Sequence, residues 1–128
     1  MARRPTYDGS GTTGFVSPAG DSIEGPIDLS DFLDLSRPHR YPVRVLGEAL
    51  RERGIFPGDV LIADAAAPPS SGRVCVAFLH GDVVLATLAH RGGSWWLKPA
   101  SLGQQPVMVE GEAAEIWAIV CGLVRRQV

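Results

Sequence analysis

No apolar run in this chain exceeds the nine residues from Ile116 to Val124, and even that run is broken by Gly122. A bilayer-crossing helix needs about 20 consecutive apolar residues, so none is expected here. The 15 glycines and 10 prolines punctuate the rest of the 128 residues and favour short strands joined by turns over a helical bundle. Hydrophobic residues at 45% and charged residues at 20% suit an ordinary globular protein, and the length suits one core rather than two.

The runs place themselves by their punctuation. Tyr41 to Val45 reads as a strand, and Glu48 to Arg53 as a brief helical turn closed by Gly54. Val60 to Ala63 is a compact strand between Pro57-Gly58-Asp59 and the Pro68 to Gly72 loop. Arg73 to Leu79, then His80-Gly81, then Asp82 to Leu88 predicts a hairpin with a two-residue turn. Trp95 to Lys98, stopped by Pro99, then Val107 to Val109 and Ile116 to Val124 supply the remaining strands. One short helix is expected within Ile27 to Leu35, with Asp28, Ser30 and Asp31 as cap candidates, ending before Pro38. The expected class is mainly β, as a sandwich or barrel-like arrangement with little helix.

Residues 1–13 lack apolar periodicity and read as a flexible N-terminal arm ahead of a domain at 14–128. Gly9 to Gly14 matches the dinucleotide pattern GxGxxG. That pattern works only between a buried strand and a helix, and polar residues precede it while Pro18 follows, so it reads as linker. No apolar segment of a signal peptide follows Met1-Ala2-Arg3-Arg4-Pro5. A net charge of −2 offers no footprint for direct, sequence-specific DNA binding. Cys75 and Cys121, both inside strand-like runs, are expected as reduced core thiols of a cytoplasmic protein.

Familiar catalytic groupings are absent. Gly20-Asp21-Ser22-Ile23-Glu24 fails as a G-x-S-x-G elbow at its last position. His39, His80 and His90 are scattered over loops and strand ends, and Glu110, Glu112 and Glu115 read as a solvated edge. Trp95 and Trp96 should face opposite ways on a strand, one in the core and one at the surface. Nothing calls for a cofactor or a metal.

From Gly14 onward the order of signals resembles the UmuD/MucA-type proteins of the LexA-like S24 serine peptidase family. Gly14-Phe15-Val16-Ser17-Pro18-Ala19 resembles the family's G-F-P-S-P-A, and Ile27-Asp28-Leu29 its I-D-L. Tyr41 to Asp64 is similar to the nucleophile strand and turn, V-x-x-G-[DE]-S-M followed by G-I-x-x-G-D-x-L-x-V-D. Ser71 to Leu88 resembles the hairpin that carries the family's lysine, Leu97 to Val109 its L-x-P-x-N…P-I-x-I, and Glu115-Ile116-Trp117 the start of its closing strand. The resemblance implies a LexA/UmuD C-terminal-like fold.

It also implies a site, and there the chain departs. The family's nucleophilic serine falls on Ala49 and its general-base lysine on Ala86, 37 positions on; Thr13-Gly14 corresponds to the cleaved bond. Leu50 stands for the usual methionine, Ser101 for an asparagine and Val16 for a proline. Alanine supplies neither a nucleophile nor a base, the only lysine is Lys98, and arginine stays protonated. Self-cleavage is therefore not expected. A natural pseudoprotease and an alanine-substituted form of a working peptidase both fit.

The resemblance implies a homodimer that answers to the RecA–single-stranded DNA filament and joins a UmuC-type Y-family translesion polymerase. The thirteen residues before Gly14 are too few for a helix-turn-helix, which argues against a whole LexA-type repressor. The alternatives are an autopeptidase whose dyad has been replaced, or a repressor-type dimerisation module.

Overall fold

A computed structural model describes residues 22–48, 50–100, 105–110 and 113–127. The strands are β1 (Arg40–Arg44), β2 (Val60–Asp64), β3 (Val74–Leu79), β4 (Asp82–Arg91), β5 (Ser94–Pro99), β6 (Val107–Met108) and β7 (Ala114–Val124). One short helix, α1 (Leu29–Phe32), precedes them, and a 3-10 turn at Arg51–Arg53 follows β1. The chain is mainly β, as its punctuation predicts.

All seven strands form one antiparallel sheet in the order β1-β2-β7-β3-β4-β5-β6, consistent with the expected LexA/UmuD C-terminal-like fold and not two packed sheets. The sheet curls instead. Four strand spacings of about 4.8 Å would separate β1 from β4 by about 19 Å in a flat sheet, yet Val43 of β1 and Val83 of β4 line the same cleft. Two register shifts in β7 promote the curl, because a bulge bends its strand and increases the local twist. Ile62 pairs with Gly122 and Ala63 with Val120, skipping Cys121. Val76 pairs with Ala118 and Ala77 with Ile116, skipping Trp117.

Local chemistry explains the turns. His80 and Gly81 both hold positive φ, 50° and 91°, the backbone that a two-residue hairpin turn requires. Gly92 and Gly93, at 60° and 79°, repeat the device, so β4 runs to Arg91 rather than stopping at Leu88. Gly54 closes the 3-10 turn in the left-handed region, as expected. Asp28 caps α1 by accepting from the Asp31 amide. The helix is shorter than the Ile27 to Leu35 span because Asp34 turns left-handed, at φ 54°, and no residue of α1 is buried. Leu33, just after it, is buried and sits over Gly122, where a Cβ would lie 3.0 Å from the leucine methyl.

Apolar side chains pack on both faces of the sheet. Cys75, Ala77, Leu79, Ala86, Leu88, Leu97, Ala114 and Ile119 form one cluster. Val45, Leu50, Ile55, Leu61 and Val74 form another, continued by Ala63, Val76 and Ala118. Trp95 and Trp96 take opposite sides as expected, but neither is fully buried, because β5 is flanked by a β6 of only two residues. Trp95 packs against the first cluster and tilts onto His90, 4.6 Å between ring centroids.

The two thiols are unpaired, but only Cys75 is a core thiol; Cys121, left over by the bulge, is exposed. Burial pushes the Cys75 thiol up to about 12, whereas the Cys121 Sγ is in contact with solvent and with the Ile62 carbonyl at 3.3 Å. A thiol-reactive dye should therefore label one cysteine per folded chain, Cys121, and a second only on unfolding. Rapid labelling of Cys75 in the native protein would contradict this packing.

Candidate functional site

The segment joining β1 to β2 begins in the buried residue Val45, whose amide donates to the Asp59 carbonyl at 2.8 Å. The Gly58 amide returns a bond to the Val45 carbonyl at 2.9 Å, pinching the base of the loop. Between these points Leu50 is buried against Val45, Ile55, Leu61 and Val74. Its carbonyl accepts from the Arg53 and Ile55 amides, so the 3-10 turn is fastened to an apolar anchor. Glu48 stays exposed and pairs with Arg51 at 3.1 Å.

Position 49 lies between Glu48 and Leu50 and falls outside the described residues, as do Thr13, Gly14, the GxGxxG stretch, Ser101 and Glu112. Ala86 is described. It is fully buried in β4, paired across the ladder with Cys75 on one side and Pro99 on the other. It shares its face with Val84 and Leu88, as the strand alternation predicts.

A cleft of about 380 Å³ lies between the segment after β1 and the β4 strand, and Ala86 is not part of its lining. Val43 to Leu46 and Glu48 line one side, and Val83, Val84 and Leu85 the other. Leu85 is the residue before Ala86, and its carbonyl accepts from the Ala100 amide at 3.0 Å. Ala100 and Leu85 in turn pack against the cluster that contains Leu50. Leu50 and Leu85 thus share one cluster, whereas Ala86 packs in the other, with Cys75, Leu88 and Leu97. Apart from Arg44 and Glu48 the lining is apolar, suited to an extended peptide with apolar side chains.

Ala86 itself has no ionisable group. A lysine in so buried a place would lose hydration and its pKa would fall towards neutrality, which is what a lysine base needs. Cys75, its cross-strand neighbour, is no substitute nucleophile, because its raised pKa keeps it a neutral thiol.

The sequence reading missed two buried carboxylates that frame β2. Asp59, 2% exposed, receives the Arg125 Nε at 2.7 Å on Oδ1 and the Arg125 Nη2 at 2.6 Å on Oδ2, with the Phe56 amide at 2.8 Å. Asp64 receives the Arg40 Nε at 3.0 Å and the Ala66 amide at 2.8 Å, while Arg40 also donates to the Leu33 carbonyl. The Gly-Asp of the loop was the available signal: an aspartate among Ile55, Val60 and Leu61 needs a cation, but the sequence does not say which of the 12 lysines and arginines supplies it.

The other sequence candidates do not assemble. His39, His80 and His90 are exposed and lie on separate elements, and Glu110 and Glu115 are exposed. Among the described residues no three His, Cys, Asp or Glu side chains come together as metal ligands. No helix there is long and apolar enough to cross a membrane.

Comparison with known proteins agrees with this architecture. The family profile described as Peptidase S24-like matches residues 5–121. LexA repressor 2 of Pseudomonas syringae pv. tomato is 34% identical over 115 residues, 85% of this chain and 57% of that protein. The LexA repressor of Syntrophobacter fumaroxidans is 30% identical over 105 residues, 82% of this chain and 48% of that protein. Protein ImpA of Salmonella typhimurium is 33% identical over 89 residues, 69% of this chain and 61% of that protein. The chain therefore spans about half the length of the LexA proteins it matches.

Hydrogen bonds from Arg125 and the Phe56 amide hold the Asp59 carboxyl down at about 2. Its pKa is lower folded than unfolded, so its stabilisation is present above the unfolded value of about 3.9 and is lost as pH falls from there towards 2. Asp59→Asn should destabilise the protein at pH 6, and the gap from the parent should narrow at pH 3. Urea midpoints at the two pH values measure it, and an unchanged gap would show that Asp59 does not titrate in this way.

Proposed function

Because the chain belongs to the Peptidase S24-like family, we propose that it is a UmuD-like subunit of the bacterial DNA-damage response, held uncleaved and catalytically silent. The observation that carries this reading is the run of family signals in register from Gly14 to Trp117, with alanine at both dyad positions, 49 and 86. Its similarity to the ImpA and LexA proteins supports the same assignment.

In the proposed mechanism the arm lies across the cleft and brings Thr13-Gly14 to position 49. A serine there would attack the Thr13 carbonyl after giving its proton to a neutral lysine at 86. With alanine at both places no bond forms, and the domain acts through its surfaces alone. On this reading it is a cytoplasmic accessory subunit of a UmuC-type translesion polymerase and responds to the RecA–single-stranded DNA filament. A repressor-type dimerisation module is the second reading, favoured by the LexA matches.

Ala49→Ser with Ala86→Lys should restore slow cleavage, seen by mass spectrometry as a fragment beginning at Gly14 after long incubation at about pH 9–10, near the reference lysine pKa. Either substitution alone should leave the chain intact, since nucleophile and base act as a unit. A folded double variant that never cleaves would count against the dyad assignment.

The partner proposal begins with a second copy of this chain. Trp117, 43% exposed, stacks on Phe78 at 5.7 Å, beside an exposed Val83. Such an exposed apolar patch suits an interface. Sedimentation at low micromolar concentration should give twice the 13.6 kDa chain mass; a monomer alone would exclude the dimer.

A further inference from the structure

The loop that carries position 49 is attached at its far side to a residue from the other end of the chain. Arg125 follows the last residue of β7 and is 66 positions from Asp59 in sequence. We propose that Arg125 is a positioning residue for this loop, setting through Asp59, Gly54 and Phe56 the place of the segment between Val45 and Leu50. Its consequence for peptide cleavage rests on the family reading of the cleft; its consequence for the loop does not.

The guanidinium makes more than an ion pair. Besides both Asp59 oxygens, its Nη2 donates to the Gly54 carbonyl at 2.7 Å, and its carbon stands 5.0 Å from the centre of the Phe56 ring. Arg51 approaches the same ring at 5.1 Å and holds Glu48, the residue before position 49. A continuous path of contacts therefore runs from Arg125 through Phe56 and Arg51 to the rim of the cleft. A second path runs through the backbone: Asp59, fixed by Arg125, accepts the Val45 amide at the exit of β1.

Exposed ion pairs contribute little, but Asp59 is not exposed. Without Arg125 its carboxylate would keep the Phe56 amide alone, and a buried charge stripped of its partner is strongly unfavourable. The loop would have to open to hydrate it. The β3–β4 hairpin shares no hydrogen bond with Arg125 and would stay closed.

Hydrogen exchange followed by mass spectrometry on the full chain tests this. Arg125→Met keeps length and removes the fork; Arg125→Lys keeps the charge without the bidentate geometry. Exchange within residues 45–59 should rise at least about tenfold in Arg125→Met and by an intermediate factor in Arg125→Lys, with residues 74–91 within about twofold of the parent. Equal loosening of both segments would reduce Arg125 to a general stabiliser, and unchanged exchange at 45–59 would remove its role altogether. If Arg125→Met does not fold, the selectivity of the Arg125→Lys change decides between these outcomes. In the Ala49→Ser/Ala86→Lys background, Arg125→Met should slow cleavage and Arg125→Lys recover part of it. A background that does not cleave would sink the dyad reading while leaving the exchange result intact.

Discussion

The fold depends on β7 reaching its place between β2 and β3. Among the described residues no other ladder joins β1 and β2 to the four strands on the far side, so these two strands are held to the rest of the sheet by β7 alone. That strand is the last in the described chain, and its pairings close long loops, Val60 to Val124 among them. Such non-local contacts require chain entropy to be lost before burial compensates for it. The demands on β7 are visible in its residues. It must be apolar towards both clusters, accept two bulges that curl the sheet, and offer Gly122 where Leu33 presses closest.

Curling brings a problem of burial with it. Once β1 approaches β4, the loop after β1 is enclosed, and the carboxylates at either end of β2 lose water. Each is met by an arginine fork from elsewhere in the chain, Arg125 for Asp59 and Arg40 for Asp64. Arginine suits this task because it stays charged and donates from several nitrogens: Arg125 reaches both Asp59 oxygens, while Arg40 takes one Asp64 oxygen and the Ala66 amide the other. The same pairs hold the chain's other loose parts: Arg40 grips the Leu33 carbonyl beyond α1, and Arg125 grips the Gly54 carbonyl.

On the proposed dyad reading, alanine at 86 is chemically decisive and structurally easy. A lysine at 86 would have to be kept uncharged beside Cys75, Leu88 and Leu97, a burial that works against folding. Alanine removes that cost and the base together.

The sequence by itself determined what is local. Positive φ at His80-Gly81 and Gly54, the alternation that puts Val84, Ala86 and Leu88 on one face, and the short strands between turns follow from each residue and its near neighbours. Ala86 could be placed in its strand for that reason. What only the tertiary structure decided is long-range. A period-two pattern does not say which strands are neighbours, so it left sandwich and barrel-like arrangements open where the structure has a single sheet with β7 between β2 and β3. One skipped residue in a bulge moved Cys121 from the core to the surface, because a strand has only two faces and a shift of one exchanges them. Asp59 stands out in the sequence but its partner Arg125 does not, and the pair exists only because β2 and β7 lie side by side.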